Sequence, residues 1–350
     1  MEDSDLAARA VRPSVAAAAP VLSSVVPNTG PSAGSSTVTL NGSGFTGATA
    51  VNFGTNAALR YTVDTAAKIS AVTPPGTGAV PVTVRSPGGT SNSLTYTYAA
   101  TPGLTSLAPN QGPASGGTTV TLTGTGLTGA TAVTFGSNAA TTFTVNSATQ
   151  ITAVAPAGTG AVPVTVTTVG GTTGPVYFFY LNAPSLIAVA PNQGPTSGGT
   201  TVTLTGTGLT GATAVTFGTH PATTYTVNSA TQITAVAPAG TGAAPVTVSA
   251  PGGTSNTVIY TYVAAPVLTA LSPAQGPTDA GAGITLTGTA LTTTSTVSFG
   301  ATPAAFTVLS DTTVVALAPA GPAGPVSVNV TTVGGLSNSR TYTRVPPPDI

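Results

Sequence analysis

Residues able to do acid–base or metal chemistry are few and widely spaced in this chain of 350 residues. His220 is the single histidine, cysteine is absent, and Asp and Glu together number seven. Zinc needs several His, Cys or carboxylate ligands, and glycoside hydrolysis needs a pair of carboxylates. In the repeated part of the chain the acidic residues are Asp64, Asp279 and Asp311, far apart in sequence. We therefore predict that the protein is not an enzyme and that it has no metal site and no cofactor.

The low charge also limits the partners. Charged residues make up 4% of the chain and the formal net charge is zero, with one lysine and six scattered arginines. Nucleic-acid binding needs clustered basic residues, and a membrane-spanning helix needs about 18 or more consecutive apolar residues, which this sequence lacks. We predict no nucleic-acid partner and no membrane insertion. Because little charge repels one copy from another, we expect a protein partner through self-association or assembly.

These residues lie within four copies of one sequence unit. A proline opens each copy at 20, 102, 184 and 266, and residues 115–136 are identical to residues 197–218. Such a period predicts domains over 20–101, 102–183, 184–265 and 266–344, with a leader at 1–19 and a Pro-rich tail at 345–350. The fourth copy is expected to be two residues shorter, because it closes at Tyr342 where the third closes at Tyr262.

Each copy has the pattern of an all-β domain. Alternating polar and apolar residues, interrupted by Gly- and Pro-rich turns, predict seven short strands, typical of an immunoglobulin-like sandwich. In the second copy these strands are predicted over 104–107, 119–123, 132–135, 141–145, 150–154, 162–166 and 176–180.

The turn before the second of these strands carries a family signature. The run Pro109-Asn110-Gln111-Gly112-Pro113-Ala114-Ser115-Gly116-Gly117, then Val120-Thr121-Leu122-Thr123-Gly124 and later Phe135-Gly136, resembles the signature of IPT/TIG domains. All four copies resemble it, although Ser35, Ala274 and Ala280 depart from it in copies one and four. The resemblance implies an immunoglobulin-like fold. Its family includes surface receptors, bacterial and phage surface proteins, polysaccharide-acting enzymes and some transcription factors.

Several residues of the signature have a structural interpretation. Gly112 and the pair Gly116 and Gly117 are expected to supply positive φ or a tight bend. The phenylalanine that recurs every 82 residues is the largest apolar residue of its strand and is predicted to anchor each core. The four residues are Phe53, Phe135, Phe217 and Phe299.

The ends and junctions of the copies add two expectations. Three residues and a proline join successive copies, which predicts four domains arranged as an elongated rod. The leader begins with acidic residues, the wrong sign for a signal peptide, so no clear signal peptide is identified. Residues 1–19 are interpreted as a disordered leader or as a docking arm, and 345–350 as a frayed extension.

The function favoured by these features is a stiff rod that spaces, decorates or self-assembles on a bacterial surface or phage-like particle. The location is then extracellular, at a cell surface or on a virion. The alternative is an adhesin or carbohydrate-binding array that acts by avidity, with a glycan as partner. A recurring aromatic position (Tyr61, Phe143, Tyr225, Phe306) is predicted to be core. Adjacent aromatic residues cannot all face inward, so Tyr177, Phe178 and Phe179 are the candidate partner contact.

Overall fold

A computed structural model describes residues 18–346, and the regular structure of that part is made of β-strands. The forty strands fall into four sets of ten, called here domains 1 to 4. Domain 1 has β1 (Val21–Val26), β2 (Thr29–Pro31), β3 (Thr37–Ser43), β4 (Ala50–Phe53), β5 (Asn56–Ala57), β6 (Arg60–Thr65), β7 (Lys68–Val72), β8 (Gly78–Ser86), β9 (Gly89–Thr90) and β10 (Leu94–Ala99). Domain 2 has β11 (Gly103–Ala108), β12 (Gln111–Pro113), β13 (Thr119–Thr125), β14 (Ala132–Phe135), β15 (Asn138–Ala139), β16 (Thr142–Ser147), β17 (Gln150–Val154), β18 (Gly160–Thr168), β19 (Gly171–Thr172) and β20 (Val176–Leu181).

The second half of the chain repeats this order. Domain 3 has β21 (Ser185–Ala190), β22 (Gln193–Pro195), β23 (Thr201–Thr207), β24 (Ala214–Phe217), β25 (His220–Pro221), β26 (Thr224–Ser229), β27 (Gln232–Val236), β28 (Gly242–Ala250), β29 (Gly253–Thr254) and β30 (Val258–Val263). Domain 4 has β31 (Val267–Ser272), β32 (Gln275–Pro277), β33 (Gly283–Thr289), β34 (Thr296–Phe299), β35 (Thr302–Ala304), β36 (Phe306–Ser310), β37 (Thr313–Leu317), β38 (Gly324–Thr332), β39 (Gly335–Leu336) and β40 (Arg340–Val345). The chain forms two compact units, one ending at Tyr180 and the other beginning at Leu181.

Every domain is a sandwich of two sheets with the same strand order. In domain 1 the first sheet is β1-β3-β7-β6 and the second is β2-β10-β8-β4-β5, with β9 beside β8. The strands pair antiparallel except β2 and β10, which run parallel. The fold is therefore all-β and immunoglobulin-like, as the alternating pattern predicted.

Alternation of apolar and polar residues places the core between the two sheets. On β13 the side chains of Val120 and Leu122 are buried, while the intervening threonines face away from the core. The ring of Phe135 meets that of Phe178 edge to face, with centroids 5.4 Å apart. The four recurring phenylalanines, Phe53, Phe135, Phe217 and Phe299, are all buried, each in the core of its own domain.

The structure adds detail that the strand prediction lacked. In domain 2 the bounds of β14 and β17 agree with the predicted strands, whereas β12, β15 and β19 were not predicted. These three strands are two or three residues long and lie in Gly- and Pro-rich segments, where local patterns indicate turns. They become strands because each pairs with a neighbour, as β19 does with β18.

Two further expectations require correction. The last strand of domain 4 begins 82 residues after that of domain 3, so Tyr342 is equivalent to Tyr260, and Arg344 to Tyr262. The fourth copy is therefore not two residues shorter over its whole length. Gly116 and Gly117 have φ of 77° and 85°, but Gly112 does not have positive φ. Gly112 instead leaves room for Thr118, whose Oγ1 an added Cβ would overlap. The expectations for most of the leader and tail, residues 1–17 and 347–350, lie outside the described residues.

Candidate functional site

The outer face of the second sheet in domain 2 carries two exposed aromatic side chains. Tyr177 and Phe179 lie two residues apart on β20 and are 51% and 43% exposed. Residues two apart on a strand point to the same side of the sheet, so the two rings share one face. This pair is the most distinctive surface feature of the domain.

Phe178 does not belong to that surface. Its side chain is fully buried, in edge-to-face contact with Phe135 and Tyr180. The expectation that Phe178 contributes to a partner contact is therefore wrong, because strand alternation turns its side chain into the core when its two neighbours face outward.

The residues beside β20 leave this face of the sheet uncharged. Tyr177 lies opposite Pro163, and Phe179 opposite Ala161, on the neighbouring strand β18. Further across the same sheet, the hydroxyls of Thr134 and Thr165 are hydrogen-bonded at 2.9 Å. Residues 102–183 contain no Asp, Glu, Lys, Arg or His. Exposed rings on such a face can stack against a sugar ring or pack against apolar side chains, and the face offers no ionic contact.

The equivalent positions of the other domains differ. Domains 1 and 4 have threonine at both positions: Thr95, Thr97, Thr341 and Thr343. Domain 3 has Ile259, which is 52% exposed, and Thr261. The aromatic pair is therefore a departure of domain 2 from a common pattern, whereas the buried residues of the four domains are closely similar.

The recurring aromatic position serves the structure of each domain. Tyr61, Phe143, Tyr225 and Phe306 are half-buried and contact their respective cores. The hydroxyl of Tyr61 donates to the carbonyl of Ala48 at 3.1 Å, and that of Tyr225 to the carbonyl of Ala212 at 3.3 Å. These rings are consequently not platforms standing free of the sheet.

A second repeated feature lies where the last strand of each domain ends. The hydroxyls of Tyr98, Tyr180 and Tyr262 donate to the carbonyl oxygens of Pro74, Pro156 and Pro238 at 2.7–2.8 Å. Burial raises the pKa of all three tyrosines. In domain 4 Arg344 takes this position, 6% exposed, and its Nη2 donates to Pro319 O at 3.0 Å. The sequence analysis did not identify Arg344. The 82-residue period could have done so, because it aligns Arg344 with Tyr262.

Open cavities lie beside two of these tyrosines. The cavity in domain 1 has a volume of about 630 Å³ and includes Phe53, Asn56 and Tyr98 in its lining. The cavity in domain 3 is smaller, about 280 Å³, and has His220 at the position of Asn56. His220 lies exposed on the short strand β25, opposite Phe217.

The described part of the chain shows neither a metal site nor a membrane-spanning helix. Within residues 18–346 no group of three or more His, Cys, Asp or Glu is placed to hold a metal ion. Over the same range no helix is long and apolar enough to cross a membrane.

Two-sheet sandwiches repeated in tandem, each with a Gly-Pro turn and a buried phenylalanine in register, define a protein of immunoglobulin-like repeats. The IPT/TIG domain family matches residues 20–98, 102–180, 184–262 and 266–344. The chain belongs to this family, with four tandem domains.

Three solved structures are among those to which this chain is similar. The extracellular region of plexin A4 shares 23% identity over 91% of this chain and 30% of its own length, with a TM-score of 0.36. Invasin, a bacterial integrin-binding protein, shares 18% identity over 93% of this chain and 79% of its own, with a TM-score of 0.29. The SGBP-B of a mixed-linkage glucan utilization locus of Bacteroides ovatus shares 17% identity over 67% and 65%, with a TM-score of 0.24. This chain thus spans about a third of the length of the plexin structure.

Proposed function

We propose that this chain is a non-enzymatic, surface-exposed structural protein in which domain 2 makes the specific contact and the other domains act as spacers. The proposal places it outside the cell, on a bacterial surface or a phage-like particle. The observation that supports it is the contrast between four similar cores and one distinctive outer face, at Tyr177 and Phe179. Domains that only add length to the protein need a stable core in every copy. A surface that recognises a partner is needed in one copy alone.

The chemistry of the side chains favours binding over catalysis. Domain 2 has no titratable side chain besides its two tyrosines, so its outer face can bind an apolar or hydroxylated surface but has no acid or base to offer. Exposed aromatic residues are enriched at binding hot spots because a large ring is desolvated at little cost in conformational entropy.

A carbohydrate partner is the second candidate, and one observation favours it. The rings of Tyr177 and Phe179 lie on a sheet face that carries hydroxyl-bearing threonines further across, an arrangement that suits stacking on a sugar ring with hydrogen bonds to its hydroxyls. Since the recurring aromatic position is partly buried in every domain, avidity from four aromatic platforms is not supported. A glycan would bind to domain 2.

The test compares the wild-type chain with a double variant, Tyr177→Thr with Phe179→Thr, which installs the residues of domain 1. The matched control is Ile259→Thr, the equivalent change in domain 3. Retention on insoluble polysaccharides and on a glycan array would measure sugar binding, and electron microscopy would detect filaments or particle-bound chains. We expect the double variant to lose binding or assembly while the control keeps it. A double variant that matches wild type in every assay would overturn domain 2 as the contact domain.

A further inference from the structure

Domain 2 also differs from its neighbours at the free edge of its first sheet. In domains 1, 3 and 4 an asparagine holds both backbone groups of a leucine on the first strand. Its Oδ1 accepts from the leucine N–H at 2.7–2.8 Å, and its Nδ2 donates to the leucine carbonyl at 2.9–3.0 Å. The pairs are Asn92 with Leu22, Asn256 with Leu186, and Asn338 with Leu268.

In domain 2 this asparagine is replaced by Gly174. An added Cβ at Gly174 would have no heavy atom within 4 Å, so the space that the carboxamide fills elsewhere is open. The equivalent leucine is Leu104, and no hydrogen bond to its N–H or carbonyl from another part of the described chain takes the place of the missing asparagine. Leu104 is also only half-buried, whereas Leu22, Leu186 and Leu268 are buried.

The edge at Leu104 is available because β11 is the outermost strand of its sheet, with β13 as its single strand partner. An edge strand with unpaired N–H and C=O groups is a template for pairing with another strand, and proteins normally protect such edges. In three domains the asparagine carboxamide provides that protection. In domain 2 no asparagine side chain covers the backbone N–H and C=O of Leu104.

We infer that this edge of domain 2 pairs with the same edge of a second copy of the chain. In an antiparallel pair of strands, two residues directly opposite each other can exchange both N–H···O=C bonds. Leu104 with one free donor and one free acceptor is complementary to itself across a two-fold axis, the symmetry of most homodimers. The absence of charged residues from domain 2 removes electrostatic repulsion between the copies.

One of the exposed aromatic residues of domain 2, Tyr177, lies near the same edge strand. In domain 1 an open groove of about 350 Å³ runs between β1 and β10 and includes Ser24 and Thr95 in its lining. Tyr177 occupies the position of Thr95 in domain 2, so an exposed ring stands beside the uncovered strand. The half-buried Leu104 and the ring of Tyr177 would lose apolar surface to water on pairing, which stabilises a contact that has few hydrogen bonds. The inference rests on the proposed function, because it takes domain 2 as the contact domain. It adds that the β11 edge binds a second copy of this chain.

The experiment measures association of the purified full chain by sedimentation equilibrium over a range of concentrations. We expect a monomer–dimer equilibrium for wild type. The dissociation constant of the dimer should be about tenfold higher or more for Gly174→Asn, because the new carboxamide would form hydrogen bonds with Leu104 within its own domain. Gly174→Ala is the matched control. It adds a Cβ without hydrogen-bonding groups, and we expect it to keep most of the association. Backbone amide exchange in β11 should slow with rising wild-type concentration and be slow at all concentrations in Gly174→Asn.

Two results would overturn the inference: a wild-type chain that is monomeric at every concentration, or a dimer that Gly174→Asn leaves intact. Loss of folding is not an ambiguous outcome here. Gly174 lies outside the positive-φ region, and the substituted asparagine repeats a contact found in three sister domains, so Gly174→Asn should stabilise domain 2. A monomeric chain that still binds a surface through Tyr177 and Phe179 would refute the dimer and leave the proposed function standing.

Discussion

Nη2 of Arg344 donates a hydrogen bond to the carbonyl of Pro319 at 3.0 Å, in the position where the hydroxyl of Tyr262 donates to Pro238 at 2.8 Å. The guanidinium fits the place of a phenol ring but brings a positive charge into it. Arg344 is 6% exposed, its Nε has no hydrogen-bond partner, and no carboxylate of residues 18–346 lies within 4.0 Å of it. A buried donor without a partner destabilises a fold, and more so when it is charged.

Arg344→Tyr should therefore stabilise domain 4 by about 1–3 kcal/mol, since it removes an unpaired buried donor and restores the tyrosine of the other domains. Amide exchange in β38 and β40 measures the change for this domain alone. The converse substitution, Tyr262→Arg, should destabilise domain 3. Faster exchange in Arg344→Tyr would show that the guanidinium has a stabilising role that its position does not reveal.

The same tyrosines make stability depend on alkaline pH. Burial, and to a lesser extent repulsion from Tyr260, raises the pKa of Tyr262 above its ordinary value of 10.0. A raised pKa means that the folded state favours the neutral phenol, so its stabilisation is complete below about pH 10 and is lost as pH rises through the folded-state pKa. We expect domain 3 to lose amide protection over that range. Tyr262→Phe should lower stability at neutral pH by about 1 kcal/mol, through the lost hydrogen bond, and weaken the alkaline dependence. An unchanged alkaline profile in this variant would contradict the assignment.

Ala290 occupies a position where the other domains have glycine. Its φ is 58°, close to the 67° of the equivalent Gly208 in domain 3. A left-handed conformation costs a residue with a Cβ about 1–2 kcal/mol, so Ala290→Gly should stabilise domain 4 by about 1 kcal/mol. Gly208→Ala is the matched reverse change: an added Cβ there meets Pro184 at an ordinary 3.4 Å, so backbone strain dominates its cost. Unfolding followed by amide exchange in β33 and β23 would test both, and an Ala290→Gly variant no more stable than wild type would count against strain.

A carboxylate supports the strained turn at Ala290. Asp311 accepts a hydrogen bond from Thr292 Oγ1 at 2.7 Å and another from the backbone N–H of Ala290 at 3.4 Å. The bond from Thr292, followed by those from backbone groups, lowers the pKa of Asp311 below its usual 3.8. A lowered pKa gives stability that is present above the unfolded-state value and is lost as pH falls through the folded-state value.

The measurement is amide exchange around Ala290 in wild type and in Asp311→Ala, which installs the residue of domains 2 and 3. The wild-type turn should be better protected at neutral pH, and the difference should shrink below about pH 4 as the carboxylate is protonated. A difference that persists unchanged at low pH would mean that the negative charge of the Asp311 side chain is not what protects the turn.

Much of the fold could be predicted because it depends on local pattern repeated four times. The alternation on β13 and the large apolar Phe135 are visible in any single copy, and an 82-residue period shows which residues are equivalent. Short strands such as β19 could not be predicted, because two residues become a strand by virtue of a partner elsewhere in the chain.

The candidate site divides in the same way. The cluster of aromatic residues at 177–179 was evident from the sequence, as was the interruption of the repeat at that point. Which of them faces solvent was decided by the register of β20 against β18, which turns Phe178 into the core and leaves Tyr177 and Phe179 outside.

The open edge at Leu104 was hidden for a related reason: the asparagine that closes it in other domains lies 70 residues further along the chain. The repeat and its longer strands can be predicted from the sequence, because the patterns that specify a strand lie in residues close together along the chain. Exposure, unpaired backbone groups and the burial of Arg344 depend on contacts between distant residues, and those exist only once the two sheets of a domain are packed together.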